Sequence, residues 1–170
     1  MKERLADGTE HEGDMHAAFR NVARRPVHGD IGHAPCHVRA LYAWWQRCRG
    51  DDIPERSDFD IIGHFRLAPY LFMLHRRGKG IWEYRLNGEE VVRLMGGSQR
   101  GLVFSTCDGL AENAAFARYL EQVAESRTAW TCQGSLGFRG KDFLSFASVD
   151  CPLAGPEGAV DTILGALQLL

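Results

Sequence analysis

Residues 70–88 read Tyr-Leu-Phe-Met-Leu-His-Arg-Arg-Gly-Lys-Gly-Ile-Trp-Glu-Tyr-Arg-Leu-Asn-Gly, and this stretch decides the fold class. Tyr70 to His75 is short, aromatic and apolar on both faces, as expected of a central strand. Arg76-Arg77-Gly78-Lys79-Gly80 is a turn. Ile81 to Leu86 then alternates, with Trp82, Tyr84 and Leu86 on one face and Glu83 and Arg85 on the other. Two strands joined by a short glycine-rich turn make an antiparallel hairpin.

Downstream, Asn87-Gly88 breaks the second strand. Glu89 to Met95 reads as a short helix, with two glutamates at its positive end and Gly96-Gly97 to stop it. Ser98 to Asp108 is irregular. Leu110 to Ser126 is the clearest helix, with Phe116, Leu120 and Val123 on one stripe. Strands are expected at Arg127 to Leu136, Phe143 to Cys151 and Ile163 to Leu170.

Upstream, Pro35 is well placed to open a helix. Val38, Leu41, Tyr42 and Trp45 recur in it at i, i+3, i+4 and i+7, and Trp44 widens the stripe. Arg47 and Arg49 suit its C-terminus, and Gly50 can supply a left-handed cap. A helix this apolar needs two neighbours, which points to a homodimer with Val38, Leu41, Trp44 and Trp45 at the interface. The whole is an α+β domain over residues 35–170, a five-stranded antiparallel sheet with helices on one face and an N-terminal flanking helix. Residues 1–34 are rich in Gly, His, Arg and acidic residues and sparse in apolar ones. They read as a flexible N-terminal extension, with a short helix between Met15 and Arg25.

Composition narrows the function classes. With 170 residues and 45% of them hydrophobic, the chain suffices for one domain with a real core. Twenty Lys and Arg against 22 Asp and Glu give a net charge of −2, so neither nucleic acid nor an anionic membrane surface is expected as a partner. The five cysteines contain no Cys-x-x-Cys pair, which suggests reduced thiols and a cytoplasmic protein. No apolar run follows the first charges, so no secretory signal is read there, and Leu67 to Leu74 is far too short to span a bilayer.

Several stretches in this order resemble the single-domain PAS family common in alphaproteobacteria, PAS_5. They are Tyr42-x-x-Trp45 with Arg47-x-Arg49-Gly50, Pro54 with Arg56-x-Asp58-Phe59-Asp60, Ala68 to Leu74, Trp82 to Gly88, and Gly101. The likeness covers roughly residues 36–170. This chain differs in having His75 where an acidic residue is usual, and Gly96-Gly97-Ser98-Gln99-Arg100-Gly101 where Gly-Arg-Asp-Leu-Thr-Gly is common. The resemblance implies a non-catalytic sensory or regulatory module, often dimeric, that binds a small molecule or a signalling partner. It places a ligand pocket between the sheet and the central helices, with His75, Trp82, Tyr84, Met95, Phe104, Trp130 and Cys132 as candidates to line it. Arg20-x-x-x-Arg24 resembles the anion-gripping pair of PilZ domains. The accompanying Asp-x-Ser-x-x-Gly is absent, so a solvated face describes the pair as well.

Other chemistry is weakly signalled. His28, His33, Cys36 and His37 are good ligand types for Zn²⁺ or Cu²⁺, but their spacing fits no standard motif. The cofactor is left unknown: the Asn-Cys-Arg-Phe-Leu-Gln stretch of flavin-binding relatives is missing. His64 and His75 are the histidines inside the domain that haem ligation would draw on. Gly-x-Ser-x-Gly, His-Glu-x-x-His, P-loop and dinucleotide motifs are all absent. An enzyme of isomerase-like type is the alternative, and it would need an inward carboxylate in an apolar pocket. Asp150, mid-strand in an apolar run, is the one so placed.

Overall fold

The computed structural model describes residues 19–138 and 141–170. The hairpin forms, but Arg76 to Gly78 belong to its first strand and the turn shrinks to Lys79-Gly80. Strand β2 (Leu71–Gly78) pairs antiparallel with β3 (Ile81–Asn87), from Phe72 opposite Asn87 to Gly78 opposite Ile81. Ala68-Pro69-Tyr70 forms a single 3₁₀ turn, so the strand begins one residue later than the aromatic run. On its other side β2 pairs with β7 (Val160–Leu169), which makes it a central strand.

Ten elements follow one another among the described residues. They are β1 (Phe19–Pro26), helix α1 (Cys36–Cys48), the β2–β3 hairpin, helix α2 (Glu89–Met95), β4 (Val103–Ser105), helix α3 (Ala111–Ser126), β5 (Trp130–Phe138), β6 (Lys141–Ala154) and β7. The strands form one antiparallel sheet in the order β1-β5-β6-β7-β2-β3-β4. The mixed α+β class is as expected, but the sheet has seven strands and not five.

Both additions are edge strands that lack a clean period of two. β4 has three residues, inside the stretch read as irregular. β1 occupies what is read as a loose extension, and part of it as a helix. Asn21 there has φ +52° and the register slips between Arg20 and Ala23, so a bulge hides the alternation. Further along the supposed extension, Ile31 and Ala34 are buried in the core. Residues 1–18, with Met15 and the first part of the expected helix, lie outside the described residues.

The sheet is covered on both faces. Along β6, residues 146, 148 and 150 point one way and 149, 151 and 153 the other, and all six are buried. Helices α2 and α3 cover the first face. Helix α1 covers the second, where the His37 backbone N–H donates to Gln168 Oε1 of β7 at 3.1 Å. The expected interface residues Val38, Leu41, Trp44 and Trp45 are all buried inside this single chain. The second neighbour that so apolar a helix requires is the segment after it. Phe59 stands edge-on to Trp44 at 4.8 Å, and His64 packs on both rings. The helix ends on Arg49 in extended conformation, without the left-handed Gly50 cap. By contrast α2 stops as read, on Gly96 with φ +75°. Among the described residues, no helix is long and apolar enough to cross a membrane.

Candidate functional site

The inner face of the sheet does not close completely against α2 and α3. A cavity of about 250 Å³ remains between them. Phe72 of β2, Tyr84 of β3 and Leu167 of β7 form its floor, together with Phe146 of β6. Val91 and Met95 of α2 and Phe116 of α3 form the opposite wall. The third side is β1, which contributes Phe19, Val22 and Arg24.

Polar groups gather at the β5–β6 end: Cys132, Ser148, Asp150 and, from β1, Arg24. Asp150 is buried, and its Oδ2 accepts the Tyr119 hydroxyl of α3 and the Cys132 thiol (3.4 Å). The thiol also lies 3.3 Å from the Tyr119 oxygen. Burial pushes the Asp150 carboxyl above the usual carboxylate range, against the smaller opposing pull of Tyr119, Cys132 and the Arg24 charge. Burial also raises Tyr119 and Cys132, each further raised by Asp150. At neutral pH the end of the cavity therefore holds a phenol and a thiol in their neutral forms, and a carboxyl biased toward its own. A thiol so raised is a poor nucleophile.

This arrangement sets a pH dependence. The unfolded Asp150 ionises near 3.9 whereas the folded one holds its proton to higher pH. Its contribution to stability is complete below the unfolded pKa and is lost as pH rises through the folded one. The melting temperature of Asp150→Asn, followed from about pH 4 to 8, should therefore fall less with rising pH than that of the unaltered chain. Parallel profiles would contradict the raised carboxyl.

Of the seven residues named as pocket candidates, the structure brings Tyr84, Met95 and Cys132 together on the cavity. Trp82 lies beneath α3 instead, its Nε1 donating to Glu121 Oε1 at 2.9 Å, and Arg76 pairs with the same glutamate. Phe104 sits behind the wall, stacked on Phe116 at 5.5 Å. Trp130 is half-buried, with its Nε1 bonded to Ser126 Oγ at 3.0 Å and its ring against Tyr119. His75 faces the opposite side of the sheet, in an open cleft with Met73, Arg77 and Arg85. His64 is near the surface beside Phe59, so neither of these two histidines points into the cavity.

The His/Cys segment does not assemble as a metal centre. Among the described residues, no group of three or more His, Cys, Asp and Glu side chains is placed to hold an ion. His37 stacks on Tyr70 at 3.8 Å and bonds Gln168 through Nδ1, beside Cys36. The sequence reading missed Phe19, Val22, Phe72, Ser148 and Tyr119. Phe146 and Ser148, which share the Asp150 face of β6, follow from period-two alternation along the strand. The β1 residues were hidden by the bulge.

The PAS domain model of the PAS_5 family matches residues 34–168. The chain belongs to that family. PAS_5 is a PAS family and so one of sensory and regulatory modules, generally non-catalytic. No curated protein and no solved structure shows a significant match. Nearly all of the cavity falls within the PAS region, whereas β1, with Phe19, Val22 and Arg24, precedes it.

Proposed function

We propose that this PAS domain is a non-catalytic sensory or regulatory module that binds a small, largely apolar ligand in the cavity. The observation that carries this reading is the cavity itself. Well-packed cores hold few voids larger than a water molecule, and a void of about 150 Å³ already accepts benzene. At about 250 Å³, with aromatic walls and polar groups at one end, this one suits a ring with a short polar appendage. Occupancy would be felt by β1 and by α2. The exposed Ile62 and Phe65, 81% and 68% accessible, offer apolar contacts to a signalling partner.

Native mass spectrometry of freshly purified protein, with an absorbance spectrum, tests the reading. A small-molecule adduct that is lost on denaturation is the expected result, and Gly165→Ala should lack it. A Cβ at Gly165 would lie 2.0 Å from the Phe72 ring, and the ring's room to move is the cavity. An adduct retained unchanged in Gly165→Ala would mean the ligand sits elsewhere. A bare mass in both proteins would count against a bound ligand.

One observation favours a second reading, a proton-transfer enzyme: Asp150 does line an apolar cavity. Against it, Asp150 Oδ2 already serves Tyr119 and Cys132, tying α3 to β5 and β6. Asp150→Asn distinguishes the two: a sensor leaves its ligand chemically unchanged with or without the carboxyl, whereas a proton-transfer enzyme converts it only when the carboxyl is present.

A further inference from the structure

Arg24 is the unusual member of the cavity. Its guanidinium lies over the Tyr119 ring at 4.5 Å and near Phe116 at 5.9 Å, yet its buried Nε has no hydrogen-bond partner among the described residues. It forms no ion pair with any described carboxylate. A buried N–H of a cation left unpaired is costly, and such groups in folded proteins nearly always find an acceptor. Arg20 and Arg25, its neighbours on β1, are exposed, so the cation turned inward is a single one. The Ser148 hydroxyl lines the same cavity.

We infer that the cavity takes a small monocarboxylate with an apolar body, its carboxylate held by Arg24 and its body by the aromatic walls. The inference rests on the cavity being the ligand site. A guanidinium fork matches the two oxygens of a carboxylate and is most effective where water is excluded. Phosphates and dicarboxylates fit less well: one cation faces them, and Glu112 at the rim adds negative charge. Asp150 forms no ion pair with Arg24, and its Oδ2 already accepts from Tyr119 and Cys132. The site is then completed by a strand that precedes the residues matched by the family model, and a ligand anchored on Arg24 also holds β1 against β5.

The test uses phenylacetate and its neutral counterpart phenylacetamide on the full chain, titrated by calorimetry at physiological salt. Phenylacetate should bind roughly tenfold or more tighter, the difference a charged hydrogen bond makes. Arg24→Gln should abolish that preference while still binding the amide. Its melting temperature, measured without ligand, verifies that the variant is folded. If acid and amide bind the unaltered chain equally well, the carboxylate inference fails and the cavity reading stands. A preference for the acid that survives in a folded Arg24→Gln also overturns it. If neither compound binds, both the inference and the ring-sized ligand site fall together.

Discussion

Trp45→Ala should cost the protein about 3–5 kcal/mol of stability without changing its oligomeric mass. Trp45 is 2% exposed, and its Nε1 donates to the Pro152 carbonyl of β6 at 2.9 Å. Truncation removes a large apolar surface, leaves a hole between α1 and the sheet, and strands a buried carbonyl, which alone costs about 1–3 kcal/mol. Against a total stability of about 5–15 kcal/mol, the loss is a large fraction. For a chain of this length, the melting temperature should drop by about 10 °C or more. Trp45→Phe keeps most of the surface and loses the hydrogen bond, so it should fall between the two. Thermal denaturation and light scattering on the same samples decide the matter. Unchanged melting with a smaller particle would mean that the ring is at an interface after all.

The contrast between the two accounts of Trp45 shows what was legible in the sequence. Periodicity says that a side chain is covered, but not by what. The α1 stripe is too wide for one neighbour, but the second neighbour is the segment from Pro54 to Leu67 of the same chain and not a second copy. That segment has no regular pattern, so only the aromatic packing of Phe59 and His64 on Trp44 reveals it. Strong local patterns survived best. The β2–β3 hairpin, the Glu89–Met95 helix and the long α3 all formed close to where alternation and capping put them.

The site was less legible, because it depends on which face of each strand meets which helix. Tyr84 and Trp82 share a face of β3, yet one lines the cavity and the other is roofed over by Glu121 of α3. Arg24 was the hardest to foresee. Three arginines within six residues look like a solvated run, and the bulge at Asn21 decides that Arg24 alone turns inward.

Gly88→Ala should be as damaging as the loss of Trp45, and for a reason that joins two of the family-like stretches. Gly88 has an ordinary φ of −67°, so it is not needed for backbone freedom. It is needed for space. A Cβ there would lie 2.2 Å from the Ala68 carbonyl oxygen and 2.3 Å from that of Pro69. These are backbone atoms, which cannot rotate away as a side chain can. The Gly88 N–H donates to the Leu71 carbonyl at 2.7 Å, and its own carbonyl accepts the first α2 bond, from Val92, at 2.9 Å. Ala68-Pro69-Tyr70 and Asn87-Gly88 are thus one tight junction that sets where β2 begins and where α2 leaves. Overpacking usually costs about 1–3 kcal/mol, and a collision with fixed backbone belongs at or above the upper end. Because α2 carries Val91 and Met95 onto the cavity, any fraction of Gly88→Ala that folds should also bind ligand more weakly. Gly97→Ala is the matched control: nothing lies within 4 Å of its Cβ position and its φ is not positive, so its melting should stay close to that of the unaltered chain. Equal melting temperatures for the two alanine variants would show that the junction yields, and that the close approach does not fix the register of the hairpin.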